Sequence, residues 1–283
     1  MPLVSIKAEL VKARSRGYAL PLFNVFELSG AEDFVATAEE LKAPVMFGFY
    51  AGFLSEPRTH RRVRCARALA EQSTMPVSIM LDHGSCYEQC RQALDMGISD
   101  VMFDGSKLTY EENRDISARV AELAHQSGGA AEAELGHVGV GRTYDQFGAR
   151  RAGFTDPQQA KRFVEETGVD ILAVAVGTAH GVYKGKPSLD LALLEKIADM
   201  VPIPLALHGG SGLSEEQFTA SIRRGIAKIN IATDIVHTMF AEMKAVATQK
   251  EDTSFFELVK PMHAVMEEKT AYYCTLFDAV RKA

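Results

Sequence analysis

Pro76-Val77-Ser78-Ile79-Met80-Leu81-Asp82-His83-Gly84 opens with a short, mostly apolar run, Pro76 to Leu81, and then carries two ionisable residues and a glycine. Its apolar residues run on with little alternation, as in a strand covered on both faces of a parallel sheet. A proline at the start does little harm, because the first residue of a strand can forgo its N–H. Seven further runs share this character: Ala19 to Val25, Pro44 to Phe49, Asp100 to Phe103, Ala130 to Leu135, Asp170 to Val176, Ile203 to Leu207 and Ile226 to Ile231. Stretches with helical periodicity follow them, such as Glu32 to Leu41, Tyr110 to His125 and Leu189 to Met200. Gly, Pro, Asp or Ser marks the joins. Eight strand-helix units in about 230 residues predict an α/β fold of the closed (β/α)8 TIM-barrel type. An open doubly wound sheet competes, but no Gly-x-Gly-x-x-Gly follows the first strand, which argues against its dinucleotide-binding version.

Beyond the eighth run, Asp234 to Gln249 and Phe255 to Val280 read as helices. The reading is therefore one domain over 1–283, with the barrel over about 1–245 and a helical tail over about 246–283. The tail is expected to pack on the barrel or on a second subunit. The composition agrees with a globular chain. Of 283 residues, 47% are hydrophobic and 24% charged, which excludes whole-chain disorder and fibrous repeats. A net charge of −6 argues against a nucleic-acid partner. No apolar run is long enough to span a bilayer, and Met1-Pro2-Leu3-Val4-Ser5-Ile6-Lys7 lacks the apolar core of a secretion signal, so no membrane partner and a cytoplasmic location are expected. The four cysteines have no ribbon or finger spacing, and Cys86 and Cys90 read as packing thiols on a helix.

Three of the eight histidines share one context, a strand end followed by glycine: Asp82-His83-Gly84, Ala179-His180-Gly181 and Leu207-His208-Gly209-Gly210. In a barrel these lie at the ends of strands three, six and seven and face one mouth, where barrel enzymes keep their chemistry. Three imidazoles converging from three strands form a nitrogen site with an open position, which suits Zn2+. Asp82 stands beside a metal ligand, where a carboxylate can move protons or orient the ligand. Asp104 and Glu134 also end strands; spacing alone leaves them either as ligands of a second cation or as loop anchors. His60, His125, His137, His237 and His263 are read as structural.

After His208 comes Gly209-Gly210-Ser211-Gly212-Leu213-Ser214-Glu215-Glu216-Gln217, a glycine-rich turn leading into a helix start at Ser214. Asn230-Ile231-Ala232-Thr233-Asp234 follows the eighth strand. Loops seven and eight of a barrel often bind phosphate through backbone N–H groups and a helix N-terminus. Gly181 and Lys184 of loop six could complete that cradle. Phosphate beside zinc suggests a phosphorylated carbonyl substrate.

Leu81-Asp82-His83-Gly84, Gly177-Thr178-Ala179-His180-Gly181, Leu207-His208-Gly209-Gly210-Ser211-Gly212 and Lys228-Ile229-Asn230-Ile231-Ala232-Thr233 together resemble the zinc-dependent class II fructose-bisphosphate and tagatose-bisphosphate aldolases. The resemblance implies one catalytic Zn2+ on His83, His180 and His208, with Asp82 as the proton-transfer residue. It also implies dihydroxyacetone phosphate held by Gly181, Gly209, Ser211, Asn230 and Thr233. Asp104 and Glu134 match the family's acids for a second cation, and Asn24 matches a substrate-side asparagine at the end of strand one. A homodimer or homotetramer is implied.

Three departures shift the expected chemistry. Where the family loop after strand five carries Gly-Gly-x-Glu-Asp, this chain reads Gly139-Val140-Gly141-Arg142-Thr143-Tyr144-Asp145, so Arg142 stands in place of the Glu that handles the donor C–H proton. A guanidinium is no base at neutral pH. The turn after strand two, Phe47-Gly48-Phe49-Tyr50, is aromatic where a small hydroxyl residue is usual. Glu251-Asp252-Thr253-Ser254-Phe255 replaces the family's Asp-Pro-Arg. Tyr50 and Arg142 are accordingly candidates at the acceptor end. The expectation is a ketose 1-phosphate or bisphosphate aldolase whose aldehyde is not glyceraldehyde 3-phosphate. The alternatives are an ordinary tagatose- or fructose-bisphosphate aldolase and a catalytically silent paralogue serving as a partner subunit.

Overall fold

In a computed structural model, residues 3–143, 153–249 and 252–283 are described. The barrel strands are β1 (Leu20–Asn24), β2 (Val45–Tyr50), β3 (Val77–Gly84), β4 (Asp100–Phe103), β5 (Ala131–Leu135), β7 (Ile171–Val174), β9 (Leu205–Leu207) and β10 (Ile226–Ile231). Each overlaps a predicted run, with β2 and β3 reaching past theirs to Tyr50 and Gly84. They close in the ring order β1-β10-β9-β7-β5-β4-β3-β2, with all pairings parallel. The ring closes where Leu20 of β1 registers with Lys228 of β10. Two short strands lie outside it, β6 (Gly139–Val140) and β8 (Ala179–His180), which pair with each other.

The outer layer comprises α2 (Leu28–Leu41), α3 (Thr59–Gln72), α4 (Tyr87–Met96), α5 (Tyr110–Gln126), α6 (Pro157–Thr167), α7 (Leu191–Met200) and α8 (Glu215–Ile222). Their starts follow local chemistry. Thr109 with Glu112 and Ser214 with Gln217 form reciprocal capping boxes, and the Asp156 and Asp190 side chains accept from the first-turn amides of α6 and α7. Phe23 stacks on Phe34 of α2 at 4.9 Å, so that side of β1 faces the helices while Leu20, Leu22 and Asn24 alternate toward the barrel axis. Burying a side chain such as Phe23 contributes about 2–3 kcal/mol.

The periodicity argument did not identify α1 (Lys7–Arg16), which precedes the barrel and ends on Gly17 in the left-handed conformation, φ 72°. Its buried face includes Leu10 and Ala13. The chain just ahead of it is tied to the barrel by Asp100, at the start of β4. That carboxylate accepts from Ser5 Oγ (2.7 Å), Ile6 N (3.1 Å), Ser78 Oγ (2.5 Å) and Ala130 N (2.8 Å).

After β10 comes α9 (Thr233–Gln249), the eighth helix of the barrel, and the tail is α10 (Phe255–Leu276). It packs on its own barrel: α10 lies against α2 and α9. His263 Nδ1 lies 2.7 Å from Asp33 Oδ2, and the Tyr273 hydroxyl donates to Asp234 Oδ2 at 2.8 Å. Gly30 of α2 lets the helices approach, since a Cβ there would strike Met266. No helix among the described residues is long and apolar enough to cross a membrane.

Candidate active site

Asp82 and His83 occupy the C-terminal end of β3. Consecutive strand residues normally diverge, but His83 has φ 58°, and the β3–β4 register shifts between Leu81 and Gly84. The turn brings both side chains to one cavity, with Asp82 Oδ1 3.9 Å from His83 Nε2. His208 follows β9. His180 differs from expectation: it does not end the sixth barrel strand, which stops at Val174, but sits on β8, held by the pairing of Val140 with His180. Even so, the three rings meet. His208 Nδ1 lies 3.0 Å from His83 Nε2, and one donor atom from each ring falls within 4.8 Å of the others.

The donor set fits a zinc ion by an observation independent of that spacing. His180 Nε2 is buried and has no hydrogen-bond partner. A buried imidazole nitrogen left unpaired is costly, and a metal ligand bond would satisfy it. Burial, then the neighbouring rings His83 and His208, push the His180 pKa down to about 3, which keeps the ring neutral as a ligand must be. Burial likewise lowers His208. His83 is the opposite case: burial would lower it, but Asp82, Asp104 and Glu134 together raise it to about 9. Its far nitrogen, Nδ1, lies 2.8 Å from Asp104 Oδ2, and His208 Nε2 lies 2.7 Å from Glu132 Oε1. Carboxylates on the far nitrogens of metal-binding imidazoles fix tautomer and ring orientation. Glu132 is itself in a fully buried ion pair, 2.9 Å from Lys228 Nζ.

Glu132 and Lys228 were absent from the candidate residues. The alternation Ala131-Glu132-Ala133-Glu134 carries the missed signal, because residues two apart on a strand share a face. Asp104 and Glu134 lie near His83, and the three offer a second cluster of possible ligand atoms. Burial, then the Asp104 charge, raise Glu134 to about 8, and its Oε2 has no partner.

Asp82 is held from both sides. Asn24 Nδ2 donates to Oδ2 and Asn230 Nδ2 to Oδ1, each at 2.8 Å. Burial would raise its pKa, but His83, His208, Lys228 and the Asn24 hydrogen bond outweigh this and hold it below the ordinary carboxylate range.

These groups line a cavity of about 640 Å3 that also reaches Gly181, Gly209, Ser211, Asn230 and Thr233 on one side and Tyr50, Phe53, Ser106, Lys107 and His137 on the other. Gly209 has φ 67°, and a Cβ there would strike the Ala179 backbone, so no other residue fits easily. Tyr183, another residue missed in the sequence, accepts from Ala179 N and donates to Gly209 O, each at 2.7 Å. It ties loop six to loop seven. Tyr50 meets Phe53 edge to face at 5.7 Å.

Four expectations meet a different geometry. Lys184 lines neither this cavity nor the adjoining one and bonds through its backbone N to Gly141 O at 2.9 Å. Arg142 is absent from the lining beside Tyr50; it lines an adjoining cavity with Gly181 and Thr233. His137, read as structural, lines the main cavity. His237 lines the adjoining one. Tyr144, Asp145 and Glu251 lie outside the described residues.

A closed parallel barrel with imidazoles, a buried carboxylate and a glycine-rich cradle at one mouth defines a lyase of the metal-dependent aldolase class. The chain belongs to the class II fructose-bisphosphate aldolase family, whose model matches residues 4–282. It is 42% identical over 237 residues to the fructose-bisphosphate aldolase of Geobacillus stearothermophilus, covering 83% of this chain and 82% of that one. Its fold superposes on the YdjI aldolase of Escherichia coli K12 with a TM-score of 0.87, 32% identity and 98% of each chain covered. The fructose-bisphosphate aldolase of Campylobacter jejuni shares the fold, with a TM-score of 0.81 at 19% identity over 99% of this chain and 97% of that one.

Proposed function

We propose that this aldolase is zinc-dependent and cleaves, reversibly, a ketose 1-phosphate or ketose bisphosphate to dihydroxyacetone phosphate and an aldehyde other than glyceraldehyde 3-phosphate. The observation that carries the reading is the shared cavity, in which Asp82, held by Asn24 and Asn230, faces the three imidazoles and the Gly181–Gly209 cradle. His83, His180 and His208 would hold the zinc, which when bound supplies Lewis acidity to the donor's carbonyl oxygen. Asp104 and Glu134 offer a second cation position. Gly181, Gly209, Ser211, Asn230 and Thr233 orient the donor through its phosphate. Asp82 takes and returns the proton at the oxygen that is hydroxyl in the ketose and carbonyl in the aldehyde. The neighbouring His83, His208 and Lys228 and the Asn24 hydrogen bond keep it ionised, and its two amide partners keep it aimed.

The exposed ring of Tyr50, backed by Phe53, supports an acceptor with apolar surface toward that end. Exposed Phe240 on α9 and Phe255 and Phe256 on α10 support a homodimer or homotetramer. A panel of aldehydes offered with dihydroxyacetone phosphate to the zinc-loaded protein tests the reading. Preference for an aldehyde other than glyceraldehyde 3-phosphate supports it. The second reading, an ordinary fructose- or tagatose-bisphosphate aldolase, is favoured by the 42% identity to an enzyme of that name. Equal or better turnover of those bisphosphates would decide for it.

A further inference from the structure

We propose that Arg142 binds the donor phosphate, supplying the cationic partner that the backbone cradle lacks. The inference rests on the aldolase reading above and adds a residue to its donor side. The backbone settles where Arg142 starts. Gly139 pairs with Ala179 and Val140 with His180, so the chain arrives at Gly141 and Arg142 alongside Gly181 and Val182. Contact there is close: a Cβ on Gly141 would lie 2.5 Å from Val182 O and 3.1 Å from His180 O. Gly141 O also accepts from Lys184 N at 2.9 Å. Arg142 is thus locked to the loop that carries Gly181.

The lining of the cavities shows which side of the mouth Arg142 borders. Arg142 borders a cavity of about 520 Å3 together with His180, Gly181, Ala232 and Thr233, and those four residues also border the main cavity. Tyr50, Ser106 and Lys107, on the acceptor side, do not border it. The charge inventory then gives the side chain its role. Among the described residues, the only Lys or Arg lining the main cavity is Lys107, from the loop after β4. In the ring order, β4 lies four strands from β10, directly across the mouth from Asn230 and Thr233. Among the described residues, Arg142 is the one Lys or Arg lining the adjoining cavity. Among the described residues no carboxylate pairs with it. A planar guanidinium with free donors matches a phosphate bidentately, at greater strength than neutral N–H donors reach. The position where the family resemblance implies a proton-transfer Glu has become, in this chain, a phosphate-binding position.

The test uses the zinc-loaded full chain as wild type, Arg142→Met and Arg142→Lys. Titration calorimetry with dihydroxyacetone phosphate, and with inorganic phosphate as a second probe, is paired with kinetics on dihydroxyacetone phosphate and unphosphorylated dihydroxyacetone. Expected are at least a tenfold weaker affinity of Arg142→Met for both phosphate probes and at least a tenfold smaller preference for the phosphorylated donor. Zinc content should be unchanged, and Arg142→Lys should recover part of the loss. Affinity of Arg142→Met within twofold of wild type overturns this proposal and leaves the aldolase reading standing. So does an equal loss on both donors, which would mean that the residue does not read the phosphate. Wild-type protein that binds neither phosphate probe overturns both readings.

Discussion

The Asp82 carboxylate and the His83 imidazole, neighbours in the chain, face the same cavity with Oδ1 and Nε2 3.9 Å apart. A regular strand would send one of them into the surrounding helices. The left-handed backbone of His83 prevents this, at a cost for a non-glycine residue of about 1–3 kcal/mol. Such strain persists where surrounding contacts fix it, and here these are Asn24, Asn230, Asp104 and His208. Replacing Asp82 should therefore separate proton transfer from metal binding. Asp82→Asn and Asp82→Ala are expected to keep about one zinc per chain by elemental analysis and to lose about 10²–10⁴-fold in cleavage rate. Loss of the metal with either variant would contradict the role given to Asp82.

Removing one imidazole should remove the metal. His208→Ala and His180→Ala are each expected to bring zinc content close to zero and to abolish cleavage. In the wild type a chelator should do the same, with activity restored by added zinc. Zinc retained at wild-type stoichiometry in both variants would place the metal elsewhere.

Glu132 acts through His208 and Lys228. Glu132→Gln keeps the shape but removes the charge that pairs with a fully buried ammonium. Breaking one side of a buried pair costs about 3–5 kcal/mol, and loss of the carboxylate behind a metal-binding imidazole typically weakens metal affinity about 10–100-fold. Denaturant unfolding and competitive zinc titration read the two effects separately. Adding Lys228→Met should recover stability while leaving zinc affinity low, because the carboxylate that orients His208 is still missing.

Asp100 is far from the chemistry and is expected to act on stability alone. Its carboxylate accepts from donors on the N-terminal segment, β3 and the start of β5, which joins three parts of the barrel floor. Asp100→Asn turns an amide N–H toward one of those donors and should cost about 2–4 kcal/mol, seen as a lower denaturant midpoint. KM should stay unchanged in the folded variant.

Glu39 offers a pH-dependent contribution with a definite sign. The Thr74 backbone N–H bond holds its carboxyl below the ordinary 4.5. A carboxyl with a depressed folded-state pKa contributes stability above its unfolded value, and the contribution disappears as the pH falls through the folded value. Because the group is exposed, the effect is small. Glu39→Gln should lower Tm slightly at pH 7, with the difference from wild type shrinking as the pH falls through the folded value.

The eight barrel strands and the last two helices were legible because a strand covered on both faces and an amphipathic helix each leave a local hydrophobic pattern. Capping residues such as Ser214 and Gln217 are local too. The first helix was missed because Lys7 to Arg16 carries little amphipathic contrast, and its ordering comes from contacts such as those of Ser5 and Ile6 with the distant Asp100. The candidate histidines were legible because each follows a strand and precedes a glycine.

What the sequence alone determined was the kind of barrel and the residue types at its mouth, since both are written in runs of fewer than ten residues. Only the tertiary structure decided how those residues are used. It turned Asp82 and His83 to one side, put His180 on a ladder of its own and set Arg142 beside a cavity shared with Gly181 and Thr233. It also brought Glu132 and Lys228, 96 positions apart, into one buried pair behind His208. The physical reason is closure. Parallel strands in a ring meet across long sequence separations, and the register that fixes which side chains touch is set by the whole ring rather than by any one run.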